Sequence, residues 1–207
     1  MNEWGNVGAM SAASVEKRVW TPQEYLAWER TQPQKHTYFQ GEVFAMAGAS
    51  REHNLLVGNV IGLLWGALRS RPCQTYPSDM RVRTPATGLY TYPDVTVVCG
   101  RPELEDSELD TLLNPQLIVE VLSTSTEAYD RGEKFEQYRS IPSFREYVLI
   151  SQDKALVDHF VKQPDGSWLM RSRRAGETIE LASVGCALAV DDIYLKVFGD
   201  QAGIENE

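Results

Sequence analysis

The chain has 207 residues, 43% of them hydrophobic, and carries 29 acidic against 20 basic side chains for a formal net charge of −9. That length and apolar content suit one globular domain with a real core, expected over 19–200 behind a disordered polar tail at 1–18. The charge excludes a generic nucleic-acid coater, whose surface would be basic, but not a nuclease: metal-binding carboxylates add negative charge, and a local basic face can still meet phosphate.

Along the chain, Thr21-Pro22 opens a helix that ends near Pro33, with Thr as cap and Pro at the first helical position. Thr37 to Ala47 alternates around Gly41 and reads as two short strands or one bulged strand. Ser50 caps a helix from Arg51 to Arg69, whose apolar residues Leu56, Val57, Val60, Ile61, Leu64, Trp65 and Leu68 follow helical spacing. His53 falls on that apolar face, either as a satisfied helix-start residue or as part of a site. Three strands are expected next: Gln74 to Thr84, Tyr90 to Cys99 and Gln116 to Leu122. The acidic stretch Glu103 to Asp110 between them reads as a solvated loop. A capping box from Thr124 to Glu127 starts a helix expected to run to Ser140, before Pro142. A strand at Phe144 to Ile150 follows, then a hairpin across Pro164-Asp165-Gly166, a short strand at Thr178 to Leu181, and a last helix near Asp191 to Phe198. The central order of helix, three strands, helix and strand predicts an α/β sandwich with a mixed sheet. Trp20, Trp28, Trp65 and Trp168 read as packing residues.

Cys73, Cys99 and Cys186 form no CxxC or Cys/His cluster. Neither zinc nor a disulfide is expected of them, and all three read as small buried residues of a reducing compartment. The chain shows no secretory apolar region and no stretch long enough to span a bilayer, so a cytoplasmic setting and no membrane partner are expected.

The run Leu117-Ile118-Val119-Glu120-Val121-Leu122 would be wholly apolar but for Glu120. An ionised carboxylate in a strand buried on both faces costs several kcal/mol unless it is paired, hydrogen-bonded or metal-bound. Asp94 sits in a second, mostly apolar strand, Tyr92-Pro93-Asp94-Val95-Thr96-Val97-Val98. Two such carboxylates in adjacent strands cannot both stay ionised without a cation, and an oxygen-rich pair of this kind suits Mg²⁺ or Mn²⁺. Asp130, Lys134 and Tyr138 recur every four residues on one helix face. By spacing alone, Asp130 and Lys134 read as an exposed ion pair; alternatively, Lys134 points over the end of the sheet. Arg81 and Arg83 share one face of their strand, as a solvated surface or as possible phosphate contacts.

Pro93-Asp94 followed by Glu120 on the next strand resembles the PD-(D/E)xK nuclease superfamily, and more closely its Uma-type family of restriction-endonuclease-like proteins. The matching residues are Tyr38 to Glu42, Met46-Ala47-Gly48, His53-Asn54, Tyr92 to Val95, Ile118 to Ser123, Ser125-Thr126, Asp130, Lys134, Tyr138 and Glu146-Tyr147, spread over most of residues 20–198. The resemblance implies a restriction-endonuclease-like αβββαβ core with a mixed central sheet, an N-terminal helix and strand pair, and a C-terminal β-hairpin. It implies a magnesium- or manganese-dependent endonuclease acting on DNA. Asp94, Glu120 and the Val121 carbonyl would hold the metal, Lys134 would act in catalysis, and His53 and Tyr138 would support them. A homodimer is expected, since nucleases of this type often pair to cut both strands. Two positions depart from the pattern. Leu122 stands where the wider superfamily has its lysine, a place Lys134 takes from the following helix. Thr37 and Gln40 stand where acidic residues are common, leaving Glu42 as a third carboxylate or an exposed strand residue. The alternative reading is a catalytically silent binding or regulatory protein on the same fold.

Overall fold

The computed structural model describes residues 18–198; the expected disordered tail, except for Arg18, lies outside them. Helix α1 (Pro22–Glu29) begins with a reciprocal capping box between Thr21 and Glu24. Strands β1 (His36–Phe39) and β2 (Glu42–Ala45) form a hairpin. Its turn places Gln40 and Gly41 at positive φ, and a Cβ on Gly41 would lie 2.7 Å from Val19 Cγ1. Helix α2 (Arg51–Leu68) follows, with Ser50 Oγ accepting the His53 N–H at its start.

The two long strands expected next are each divided between two sheets. The first becomes β3 (Cys73–Pro77) and β4 (Arg81–Arg83), and the second becomes β5 (Tyr90–Thr91) and β6 (Val95–Cys99). The breaks fall at Pro77 and Pro93, which lack the N–H that a continuous ladder needs. Short β7 (Thr111–Leu112) then precedes β8 (Leu117–Leu122). The helical stretch after β8 is interrupted as α3 (Glu127–Arg131) and α4 (Glu133–Arg139). Strands β9 (Glu146–Ser151), β10 (Leu156–Lys162) and β11 (Trp168–Arg174) are followed by the hairpin β12 (Thr178–Leu181) and β13 (Cys186–Ala189), and by α5 (Val190–Ile193).

The main sheet has the order β11-β10-β9-β8-β6-β3, antiparallel throughout except for the parallel pair β8/β9. The minor sheet has the order β2-β1-β5-β4-β7. Every residue of β8 is buried, and its side chains alternate between two cores. Leu117, Val119 and Val121 pack with Leu56, Val60, Leu64 and Leu68 of α2 and with the β12/β13 hairpin. Ile118 and Leu122 pack with Tyr138 of α4 and with Ile141, Phe144 and Tyr147. Each buried aliphatic side chain contributes about 1.5–3 kcal/mol, so this central strand is strongly held on both faces.

Three expectations are corrected here. Cys73 and Cys99 are joined by a disulfide, because β3 and β6 pair in a register that sets them directly opposite each other. Trp65 is 65% exposed: it follows buried Leu64 and is turned off the packed face of α2, whereas Trp20 is buried and Trp28 and Trp168 pack against core clusters. The acidic loop is not simply solvated. Glu105 accepts from Arg83 and Tyr90, and Asp106 and Asp110 both hold Arg30.

Candidate active site

Glu120 shares the α4-facing side of β8 with Ile118 and Leu122, and it is only 3% exposed. Its Oε1 takes two donors, the Tyr138 hydroxyl at 2.9 Å and Lys134 Nζ at 2.8 Å. Burial pushes its carboxyl up to about 8; Lys134 opposes that rise, and the charges of Asp94 and Asp130 add to it. Ionised Glu120 is therefore costly in this place, and a further cation beside it would lower that cost.

Asp94 reaches the same place from β6. The β6/β8 ladder ends at Val95↔Val119, so the next position sets Asp94 opposite Glu120. Such neighbours have Cβ atoms about 4.5–5.5 Å apart on one face. Pro93 has no N–H to continue the ladder, and the Asp94 side chain takes over: its Oδ2 accepts the Val121 N–H at 2.7 Å. Its Oδ1 lies 3.0 Å from His53 Nε2, which is delivered from the first turn of α2. Burial alone would lower the His53 pKa, but the hydrogen bond and charge of Asp94, with Glu120 and Asp130 beyond it, outweigh burial and raise it.

Lys134 completes the cluster. It is 7% exposed, and its Nζ lies 3.1 Å from Asp130 Oδ1 as well as on Glu120. The spacing alone read Asp130–Lys134 as an exposed pair; both residues are buried, because the helix packs this face onto β8. Burial opposes the lysine's charge, but Asp130 and Glu120 more than compensate and hold its pKa well above the ordinary value. The Tyr147 hydroxyl donates to the Asp130 carbonyl at 3.1 Å. The expected capping box does not form: Thr126 is the N-cap, has helical φ and ψ, and makes no side-chain cap bond. Instead the Ser123 carbonyl accepts the N–H groups of Thr126 and Glu127. Gly132, at φ −110° and ψ −97°, separates α3 from α4 between Asp130 and Lys134.

His53, Asp94, Glu120, Lys134 and Tyr138 thus come together, with the backbone of Val121 among them. Other candidates lie elsewhere. Glu42 is exposed on β2, the edge strand of the minor sheet. Arg81 is buried rather than presented to a ligand: its guanidinium donates to the Tyr92 hydroxyl, Asp110 and Thr111. Arg83 is tied to Glu105. The strand break at Pro77 moves both arginines into the minor sheet. Sequence reasoning did not single out the buried network beside them, in which Glu29 accepts from Tyr92 and sits 2.9 Å from His36 Nδ1. It also left Asp130 without a role. The signal for Asp130 was present: a carboxylate one helical turn before a lysine that serves a buried strand.

The donor set suits a hard divalent cation. When Glu120 is ionised, three carboxylates (Asp94, Glu120, Asp130) face two basic groups (Lys134, His53), a balance that favours a further cation. Both donors to Glu120 use Oε1 rather than Oε2, and each Asp94 oxygen has one named donor and so keeps a lone pair. Among the described residues no group of three or more His, Cys, Asp or Glu side chains is arranged to hold a metal. Magnesium commonly needs only one or two carboxylates, with water and substrate phosphate filling the remaining positions. Among the described residues no helix is long and apolar enough to cross a membrane.

Residues 22–191 match the family Uma2, described as "Putative restriction endonuclease". Two proteins of Synechocystis sp. (strain ATCC 27184 / PCC 6803 / Kazusa) are similar to the chain. "Uncharacterized protein slr1290" is 40% identical over 84% of this chain and 90% of its own length. "Uncharacterized protein sll1609" is 38% identical over 79% and 92%. The crystal structure of "a putative nuclease belonging to DUF820" from Anabaena variabilis ATCC 29413 superposes with a TM-score of 0.66 at 13% identity, covering 84% of this chain and 97% of that one. That likeness establishes a shared fold. The chain belongs to the Uma2 family.

Proposed function

We propose that this protein is a divalent-metal-dependent endonuclease that hydrolyses DNA phosphodiester bonds at the end of β8. The observation that carries the reading is the register that sets Asp94 opposite Glu120 on adjacent strands, with Lys134 on Glu120. Asp94, Glu120 and the Val121 carbonyl would hold Mg²⁺ or Mn²⁺. When bound, the ion would supply Lewis-acid polarisation of the phosphate and lower the pKa of a water. The protein's own groups divide the remaining work. Lys134 places an ammonium where charge grows on the phosphate oxygens. Tyr138 fixes Glu120 by its hydroxyl, and His53 fixes Asp94 through Nε2, as supporting groups around a metal do. DNA as substrate, a homodimer and a cytoplasmic setting belong to the same proposal.

The test is nicking of supercoiled plasmid with Mg²⁺ or Mn²⁺, alongside calorimetric Mn²⁺ binding. Wild type should cut and bind, whereas Asp94→Asn and Glu120→Gln should lose both. Lys134→Ala should lose cutting while the protein still binds DNA. Activity that survives both carboxylate substitutions would sink the mechanism. One observation favours the silent alternative: Lys134 already neutralises Glu120, and both Asp94 oxygens have donors. That reading expects DNA binding in EDTA with no cutting under any metal.

A further inference from the structure

We infer that Asp130 is a positioning residue, a second anchor that lets Lys134 release Glu120 without losing its buried counter-ion. The inference rests on the reading of Asp94 and Glu120 as cation ligands. The ammonium is shared, 2.8 Å from Glu120 Oε1 and 3.1 Å from Asp130 Oδ1. A divalent ion on Glu120 and the ammonium of Lys134 repel each other and compete for one carboxylate. With Glu120 as its only acid, Lys134 would be left as an unpaired buried charge whenever the ion bound, and that cost would oppose metal binding. Asp130 removes the conflict. It is itself buried, so its charge acts at low screening, and it already touches the ammonium.

The backbone holds Asp130 for this task. Its N–H donates to the Thr126 carbonyl at 2.9 Å, and its own carbonyl accepts from Tyr147, so the single turn of α3 is pinned to β9. The helix then breaks at Gly132, between the acid and the lysine. Asp130 is therefore anchored by the chain before the break, and Lys134 by the chain after it. The ammonium can turn about its own side chain while its counter-ion stays in place.

The experiment is Mn²⁺ titration by calorimetry on the full chain, comparing wild type, Asp130→Asn, Asp130→Glu, Lys134→Met and the double variant Asp130→Asn/Lys134→Met. Asp130→Asn should weaken Mn²⁺ binding by about 10–100-fold, the usual effect of removing a supporting group around a metal. Asp130→Glu should restore most of that loss. In the Lys134→Met background, Asp130→Asn should leave the affinity unchanged, because no ammonium remains to be held. An equal loss in that background would make Asp130 a metal ligand and overturn the inference. Asp130→Asn binding Mn²⁺ as wild type does would overturn it as well, leaving the metal reading intact. A wild type that binds no Mn²⁺ overturns the metal reading and this role with it.

Discussion

Replacing Lys134 by Met keeps an unbranched chain, one heavy atom shorter, and removes the ammonium that touches both Glu120 and Asp130. Two buried carboxylates then lose their cation. Breaking a buried pair by deleting one partner costs about 3–5 kcal/mol, because the remaining charge is uncompensated. For a domain of this size that is a fall in melting temperature of roughly 6–20 °C. The loss should depend on pH, and its sign follows from Glu120. Its carboxyl already sits at about 8 with Lys134 beside it, and without that charge it rises further. An acid whose folded pKa is raised holds its proton in the folded state after the unfolded chain has released it. Its contribution is fully present below the unfolded value near 4.5 and is lost as pH rises through the folded value. Across that window each pH unit costs about 1.4 kcal/mol per proton. The variant should therefore lose stability at pH 5 through Asp130 alone, and lose up to about 1.4 kcal/mol more at pH 9, one unit above the wild-type value of Glu120. Thermal melts of both proteins in EDTA at pH 5, 7 and 9 measure this. A Lys134→Met variant that melts with wild type at pH 9, or that loses the same amount at every pH, refutes the account of Glu120 as a buried acid neutralised by Lys134.

His53 follows the same linkage, and deleting it removes the low-pH contribution itself. Its pKa is raised by Asp94, so its stabilisation is present below its ordinary value near 6.5 and fades as pH rises through the folded value. His53→Ala should lower the melting temperature more at pH 6 than at pH 9, and an equal drop at both would count against the pair. Gly132→Ala places a Cβ 3.1 Å from the Ala128 carbonyl oxygen, tighter than an ordinary contact, so a loss of about 1–3 kcal/mol, the usual cost of overpacking, is expected in chemical unfolding. A gain, as a regular helix would give for this substitution, would show that α3 and α4 are one helix. The disulfide spans a sequence separation of 26 residues. Cys73→Ser should therefore cost about 3–4 kcal/mol in oxidised protein and almost nothing once wild type is reduced.

Much of the site was legible because a strand exposes its chemistry by contrast. Glu120 stands out only because Leu117, Ile118, Val119, Val121 and Leu122 are apolar, and that run did become a strand buried on both faces. Pro93 marked where the β6 ladder would fail, and Asp94 fills the gap with its side chain. His53, Lys134 and Tyr138 could be suspected from helical spacing, but spacing does not say which face is buried. It favoured an exposed Asp130–Lys134 pair, and packing of α4 on β8 reversed that. The same limit applies to Arg81 and Arg83, which alternation leaves between a solvated face and phosphate contacts. Alternation within a strand was visible, but the assignment of that strand to a second sheet was not, and the second sheet turns Arg81 inward.

The local pattern of the chain determined where most strands and helices lie and which carboxylates are out of place, because propensity, capping and apolar alternation act over a few neighbours. Tertiary structure decided what each charge meets. Asp94 and Glu120 become opposed only through the β6/β8 register, and Cys73 meets Cys99 only through that of β3/β6. Lys134 is divided between Asp130 of its own helical stretch and Glu120 of β8 only once that stretch packs on the strand. Electrostatic partners are fixed by distance in space, and a buried charge has an energy only once its neighbours from other elements are in place.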